Sequence, residues 1–405
     1  MEHGLNLIAL AIPFFLLFIG LELTIAWKRK QKIYRIADAL ADLGCGVGQR
    51  VALVFFGYLL GAVYVFVYDG FRIFTLEGWK AWVVAILIVD FIYYWWHRAS
   101  HRVNLMWAVH AVHHQSEDYN LAVALRQTIF SPVTSLPFEL PMALIGVPPL
   151  VWGAAASINT LYQFWIHTEL IGKLPRPVEL VMNTPSHHRV HHAINAQYLD
   201  RNYAGMFIVF DRWFGTFVEE QLPCTYGTVK RLDSFNAVFA QFAEFGVVWA
   251  KARGASVWDK LRIWFMPPEW LPSGPKQFPP LPERKHESPC PPALQRYAMA
   301  QFVGIVGVGS LIILYDWMDN AVLAGPGALV FAALFTVGLM LDGRRLGVPL
   351  EFLRLAVTAA AAFVWVQPRY GMAAAVGAVG VALAAAVWLR MATRQTPAST
   401  EAIAA

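Results

Sequence analysis

Nine stretches of this chain are apolar over about the length of a bilayer crossing, near residues 6–26, 50–68, 80–96, 130–147, 149–166, 299–315, 323–341, 349–366 and 371–390. About 20 residues of helix, rising about 1.5 Å each, cover a hydrocarbon core of roughly 30 Å. Hydrocarbon offers a backbone no hydrogen-bond partners, so such stretches must be helical. With 57% hydrophobic and only 15% charged residues, the 405-residue chain is too apolar for a soluble domain. The expected fold is therefore an all-α integral membrane protein with about nine transmembrane helices. Pro132, Pro137, Pro141, Pro148 and Pro149 interrupt the fourth and fifth of these, which membrane helices tolerate.

Basic residues orient the spans. KRKQKIYR after the first, DGRRLG after the seventh and RMATR after the ninth fall on one side if the spans alternate, and an excess of Lys and Arg marks the cytoplasmic side. The N-terminus is then outside and the C-terminus inside. The ends of spans three and five, and the stretch 168–298, face the cytoplasm. The first span has its basic cluster after the apolar run, as a retained span does. The net charge of +5 belongs to these flanks, and nucleic acid is not an expected partner. Cys45, Cys224 and Cys290 form no CxxC pair, so neither a thiolate site nor a disulfide framework is expected.

A proline-rich run, PPEWLPSGPKQFPPLPERKHESPCPP, reads as an extended connector. It divides a catalytic membrane block, 1–266, from a C-terminal four-helix block, 299–392, with 267–298 as linker. The C-terminal block contains no histidine and is rich in Ala and Gly, which suits close helix packing or oligomerisation; a lid or substrate-entry role is the alternative.

Ten of the twelve histidines lie between positions 97 and 192. Three groups have ligand-like spacing: His97 with His101, His110 with His113 and His114, and His188 with His191 and His192. His167 stands alone after the fifth span. Positions three or four apart share a helix face, so HxxxH offers two imidazoles one turn apart. HxxHH offers two on one face and a third turned by about 100°, which can reach a second metal. Two ions with four or five nitrogen ligands each use nine histidines, and these nine are present, leaving His187 as a supporting or structural residue.

Neutral imidazole suits zinc, iron, copper and nickel alike. A zinc protease of the HExxH kind needs its glutamate as base, and HRASH has Arg98 and Ala99 there. A transporter places ligands near the bilayer midplane, whereas these lie at span ends. A cytoplasmic-side dimetal site at the mouth of a membrane cavity suits an oxidase acting on lipid C–H bonds. A zinc site serving transport or structure is the reading from another class.

The three motifs resemble those of the membrane fatty acid hydroxylase and sterol desaturase superfamily. HRASHRVNLMWAVHAVHHQSEDYNLAVALRQ, LYQFWIHTEL and NTPSHHRVHHAINAQYLDRNYAGMFIVFDRWFGTF look most like its glyceryl-ether-cleaving branch, alkylglycerol monooxygenase, over about 80–220, and the additional spans after the catalytic block are also similar. The resemblance implies two iron ions held by His97, His101, His110, His113, His114, His167, His188, His191 and His192. Dioxygen would oxidise a bilayer lipid, with tetrahydrobiopterin as a candidate reductant. The implied reaction hydroxylates the ether carbon of an alkylglycerol; a sterol, hopanoid or fatty acyl hydroxylase or desaturase is the runner-up. Arg102 departs from the pattern, standing where the ether-cleaving enzymes are expected to carry an acid.

The chain has no GxGxxG unit between a strand and a helix and no CxxCH, so electrons are expected from an external donor, a diffusible cofactor or an electron-transfer protein. Glu117 and Asp118 are candidates to orient imidazoles, Glu117 being taken as catalytic with Asn159, which lies two turns before His167. Asp211 and Arg212 read as fold-holding. FIYYWWH before His97 reads as an interfacial aromatic anchor. The expected location is the inner membrane in a bacterium or the endoplasmic reticulum in a eukaryote.

Overall fold

A computed structural model describes residues 7–272, 274, 280–316 and 318–395. The chain separates into two compact units, Met1–Asp233 with Ala240–Lys285, and Ser234–Phe239 with His286–Ala405. The division at Lys285 falls inside the proline-rich run, of which residues 273 and 275–279 lie outside the described residues. Among the described residues the regular secondary structure is helical apart from two isolated β-bridges, Met182 to Phe207 and Ala193 to Tyr226.

In chain order the α-helices are α1 (Leu7–Lys28), α2 (Ile36–Phe71), α3 (Gly78–Arg102), α4 (Asn104–His114), α5 (Ser131–Leu144), α6 (Pro149–Phe164), α7 (Arg176–Val181), α8 (Pro185–His192), α9 (Val209–Trp213), α10 (Ala237–Ala252), α11 (Val257–Arg262), α12 (Pro292–Leu314), α13 (Asn320–Leu341), α14 (Gly347–Ala361) and α15 (Gln367–Arg394).

Among the described residues, six helical stretches are long and apolar enough to cross a membrane: Leu10–Lys28, α2, α3, α12, α13 and Gly347–Arg394. Two features separate this count from the nine stretches of the sequence. The fourth and fifth become α5 and α6, of 14 and 16 residues, roughly 21–24 Å of helix and short of a full crossing. They pack as a pair against α2 and α3. Tyr64 stacks on Trp152 at 4.0 Å and donates its hydroxyl to Val147 O at 3.0 Å. The eighth and ninth fall in one stretch, broken by a π-turn at Ala362–Val366 and by Gly371, whose φ of 85° departs from helix. Because α14 and α15 pack against each other, that stretch folds back on itself. Inside this second unit Glu351 is buried and accepts from Tyr297 Oη (2.7 Å), Thr336 Oγ1 (2.6 Å) and the Arg354 guanidinium, so its charge is compensated within the helix packing.

The span expected at 50–68 is the C-terminal part of a longer helix. Thirty-six residues of α2 measure about 54 Å, more than a hydrocarbon core. Its first turns are lined by buried Asp38, Asp42 and Gln49, and they pack on the turn Val123–Leu125.

Candidate metal centre

Four short pieces of chain carry the nine histidines. The cytoplasm-directed end of α3 in the sequence reading holds His97 and His101, and α4 follows after the single extended residue Val103 with His110, His113 and His114. His167 comes three residues after α6, and α8 holds His188, His191 and His192. All nine are buried.

They divide into two groups. His97, His101, His110, His114 and His191 bring one ring nitrogen each within 4.8 Å of one another, and so do His113, His167, His188 and His192. Residues i+3 and i+4 lie about 100° apart around a helix. Each HxxHH helix therefore sends its i, i+4 pair to one group and its i+3 ring to the other: His110 and His114 join the first group while His113 joins the second, and His188 and His192 join the second while His191 joins the first. The groups abut, His114 stacking on His192 at 4.3 Å.

Tautomers decide what these groups can hold. His97 Nδ1 lies 2.7 Å from Tyr203 O, His113 Nδ1 3.1 Å from Arg126 O, His167 Nδ1 2.7 Å from Gln163 O, and His191 Nδ1 2.9 Å from Arg201 O. A carbonyl only accepts, so these four Nδ1 atoms are protonated and their Nε2 atoms carry lone pairs. Yet Nε2 of His113 and of His167 are 3.3 Å apart, with no proton between them to share. Buried Nε2 atoms of His101, His191 and His192 have no hydrogen-bond partner. Burial also lowers the basicity of the rings, taking His113 to about 4 and His191 to about 3, and moves His110, His114, His167, His188 and His192 in the same direction. Neutral rings with converging, unsatisfied lone pairs fit a cation in each group. The donor set is all nitrogen; Cys45, Cys224 and Cys290 are outside both groups.

A fatty acid hydroxylase family model matches residues 82–216, which contain all nine rings. The chain is 36% identical over 363 residues to the human alkylglycerol monooxygenase, covering 85% of this chain and 80% of that protein. The chain belongs to the alkylglycerol monooxygenase family. The Xenopus tropicalis member is 37% identical over 366 residues, 85% of this chain and 79% of its own length. The ornithine lipid hydroxylase OlsE of Rhizobium tropici is 24% identical over 142 residues, 35% of this chain and 43% of that protein. No solved structure matches. This chain is thus a multi-pass membrane oxidoreductase, a lipid monooxygenase of the fatty acid hydroxylase class.

Glu117 and Asn159, singled out from sequence, are outside both histidine groups. The Glu117 carboxylate lies 2.8 Å from Arg231 Nε and 3.8 Å from Arg35 Nη1. Asn159 donates to Asp90 Oδ1 at 2.6 Å and accepts from Gln163 Nε2 at 2.6 Å, and Gln163 O is the acceptor for His167. Asn159 is thus one residue, Gln163, removed from His167. Asp118 accepts from Arg35 and Lys285. Asp211 holds a turn, accepting from Tyr203 N and Ala204 N at 2.8 Å and Thr216 Oγ1 at 2.6 Å. Arg212 instead donates to Glu179 O and lies 3.7 Å over Phe217. Arg102 is clamped between Asp200 and Glu269, with Asp200 Oδ1 3.8 Å from His101 Nδ1.

Sequence reasoning missed two buried arginines that brace the chain beside the rings. Arg126, fully buried, pairs with Asp42 at 3.0 Å and donates to Val112 O at 2.7 Å while its own carbonyl holds His113. Arg189, between two histidines of α8, makes a bidentate pair with Glu220 at 2.8 and 2.7 Å and donates to Thr168 O and Ile171 O. The available signal was charge inside apolar surroundings: Asp38 and Asp42 one turn apart in IADALADLG, and Arg126 in ALRQT.

His187 turns away from both groups. Its Nε2 lies 2.8 Å from Glu179, which also accepts from Thr184 Oγ1 and Ser186 Oγ at 2.9 Å, so Glu179 clamps the start of α8. Burial takes His187 to about 4, and at neutral pH the neutral ring donates to the carboxylate. His187→Ala is expected to lower thermal stability by about 1–3 kcal/mol with the metal content of the purified protein unchanged, a combination read by calorimetry and metal analysis. Loss of metal would instead place His187 among the ligands.

Proposed function

We propose that this enzyme is a dioxygen-dependent di-iron monooxygenase that hydroxylates an alkylglycerol at the carbon bonded to the ether oxygen. His97, His101, His110, His114 and His191 would hold one ion, and His113, His167, His188 and His192 the other. Iron, when bound, supplies the redox chemistry that lets dioxygen take a hydrogen atom from an unactivated C–H bond. The chain's own residues fix the donor set: carbonyls of Tyr203, Arg126, Gln163 and Arg201 hold four rings in the Nδ1–H tautomer, and burial keeps bulk water from the groups. In the net reaction, dioxygen, two electrons and two protons convert the ether methylene to a hemiacetal carbon with release of water. The hemiacetal then separates into an aldehyde and a glycerol derivative.

The observation that carries this reading is identity of 36% and 37% to alkylglycerol monooxygenases across 85% of the chain, together with the paired donor groups. No electron-transfer motif is present in the sequence, so the reductant is external. Tetrahydrobiopterin is the candidate by likeness to the ether-cleaving branch. Arg102, a cation clamped by two carboxylates where that branch is expected to carry an acid, favours an electron-transfer protein as the second reading. The site is assigned to the cytoplasmic face.

Membranes containing the enzyme, supplied with alkylglycerol, sterol or fatty acid under dioxygen, with and without tetrahydrobiopterin, test this by product mass. Aldehyde from alkylglycerol is expected. Hydroxylation of a sterol, hopanoid or acyl chain alone would move the substrate to the runner-up, and bound zinc without dioxygen consumption would sink the di-iron reading.

A further inference from the structure

The segment after the histidine region, residues 240–270, is inside out. On α10, Phe242, Gly246 and Trp249 form an outward stripe at helical spacing, with Trp249 64% exposed, while Gln241 is buried and accepts from Ile129 N at 3.0 Å. On and after α11, Val257, Trp258, Leu261 and Phe265 are each at least 60% exposed. In water a helix puts such residues inside and its amides outside, and an apolar face of this size calls for a cover.

We propose that residues 242–265 lie in the membrane interface, with these side chains sunk into the lipid leaflet. Two observations point to lipid as the cover. The first is position. The membrane span α3 ends at Arg102, and immediately beyond it Asn104 N donates to Met266 O at 2.9 Å, Leu105 N to Trp264 O at 2.8 Å, and Asn104 Nδ2 to Ile263 O at 2.9 Å. Ile263–Met266 is thereby pinned to the level at which a span leaves the hydrocarbon. Nearby, Phe130 at the start of α5 meets Phe242 and Phe245 at 5.8 and 6.0 Å, so the outward stripe continues the surface of the membrane helices.

The second is chemistry. Between the exposed apolar side chains of 242–265 lie four cations, Lys251, Arg253, Lys260 and Arg262, against two carboxylates, Glu244 and Asp259, the latter paired to Arg262 at 2.6 Å. Tryptophans flanked by Lys and Arg suit the headgroup region, above all of anionic lipid. Ala108 of α4, the helix of the second histidine motif, packs on Val248, Ala252 and Ile263. The lipid-seated segment thus directly backs a ligand-bearing helix, and it occupies a region that the sequence reading assigned to the cytoplasm.

Nitroxide labels on Trp249→Cys, Leu261→Cys and Phe265→Cys, in the full-length protein with Cys224→Ser, reconstituted in vesicles containing anionic phospholipid, test the proposal. Collision of each label with dioxygen relative to water-soluble nickel chelate is the readout. A label on Glu219→Cys, an exposed charged position, sets the aqueous value. The three labels are expected to show a several-fold higher ratio than the Glu219 position. Ratios equal to the Glu219 value would put the segment in water and overturn the proposal. Labels shielded from both reagents would also overturn it, showing a protein partner or a second copy on this face. All four sites are on the surface, and retained turnover confirms folding.

Discussion

His167→Ala is expected to abolish lipid oxidation while the purified protein keeps about half of its metal. His167 belongs to no HxxxH or HxxHH motif, and its ring is the only one supplied by the segment after α6. In the second group it is central: its Nε2 lies 3.0 Å from that of His188 and 3.3 Å from that of His113. Removing it leaves three nitrogens for that ion, and leaves the five donors of the first group in place. A two-metal reaction stops when one position empties, so activity and metal content part company in this variant. The matching change in the first group, His101→Ala, leaves four donors, and is expected to lose activity with a smaller loss of metal. Metal analysis beside dioxygen consumption reads both. Full metal with unchanged activity in His167→Ala would remove His167 from the ligands and break the two-group assignment.

How much of this was legible in the sequence depended on the range of the interaction. Spacing within one helix is local, so the three motifs could be paired on paper, and the 100° between i+3 and i+4 foretold that each HxxHH would serve two groups. Span length is also local, but whether an apolar stretch crosses is not. α5 and α6 are apolar, yet with their prolines and the turn at Gly146, with φ of 89°, they stop at 14 and 16 residues and pack on α2 and α3. The continuation of α2 back to Ile36 was hidden because Asp38, Asp42 and Gln49 lower its hydropathy. Only the fold shows that Arg126 meets Asp42 across 84 positions. Glu117 stands out in the sequence by its closeness to a motif, whereas nothing there singles out Asp90, two turns from His97 on the same helix.

Asp90→Ala is expected to weaken both halves of the site at once. Its buried carboxylate accepts from Met206 N at 2.6 Å and Phe207 N at 2.9 Å, fixing the strip of chain whose Tyr203 carbonyl holds His97. It also accepts from Asn159, whose Oδ1 takes the side-chain amide of Gln163, the residue whose backbone carbonyl meets His167. One residue therefore orients a ring in each group, and a carboxylate this deep in a span is stable only with such donors. Loss of a partner that orients a ligand costs about 10–100-fold in metal affinity or activity, and here the cost falls on both ions. Two comparison variants separate this coupling from general destabilisation. Asp211→Ala removes the acceptor for Tyr203 N, Ala204 N and Thr216 Oγ1, all on the His97 side, so it should loosen the first group and spare the second. Gly205→Ala leaves every acceptor in place but sets a Cβ 2.6 Å from Asp90 Oδ1 and 2.8 Å from Asn159 Nδ2. With no room for it, this change should reproduce the Asp90→Ala phenotype in milder form, at about 1–3 kcal/mol of overpacking. Metal titration of the three proteins decides the matter: if Asp90→Ala lowers the melting temperature but binds both ions with unchanged affinity, the carboxylate holds the fold and not the rings.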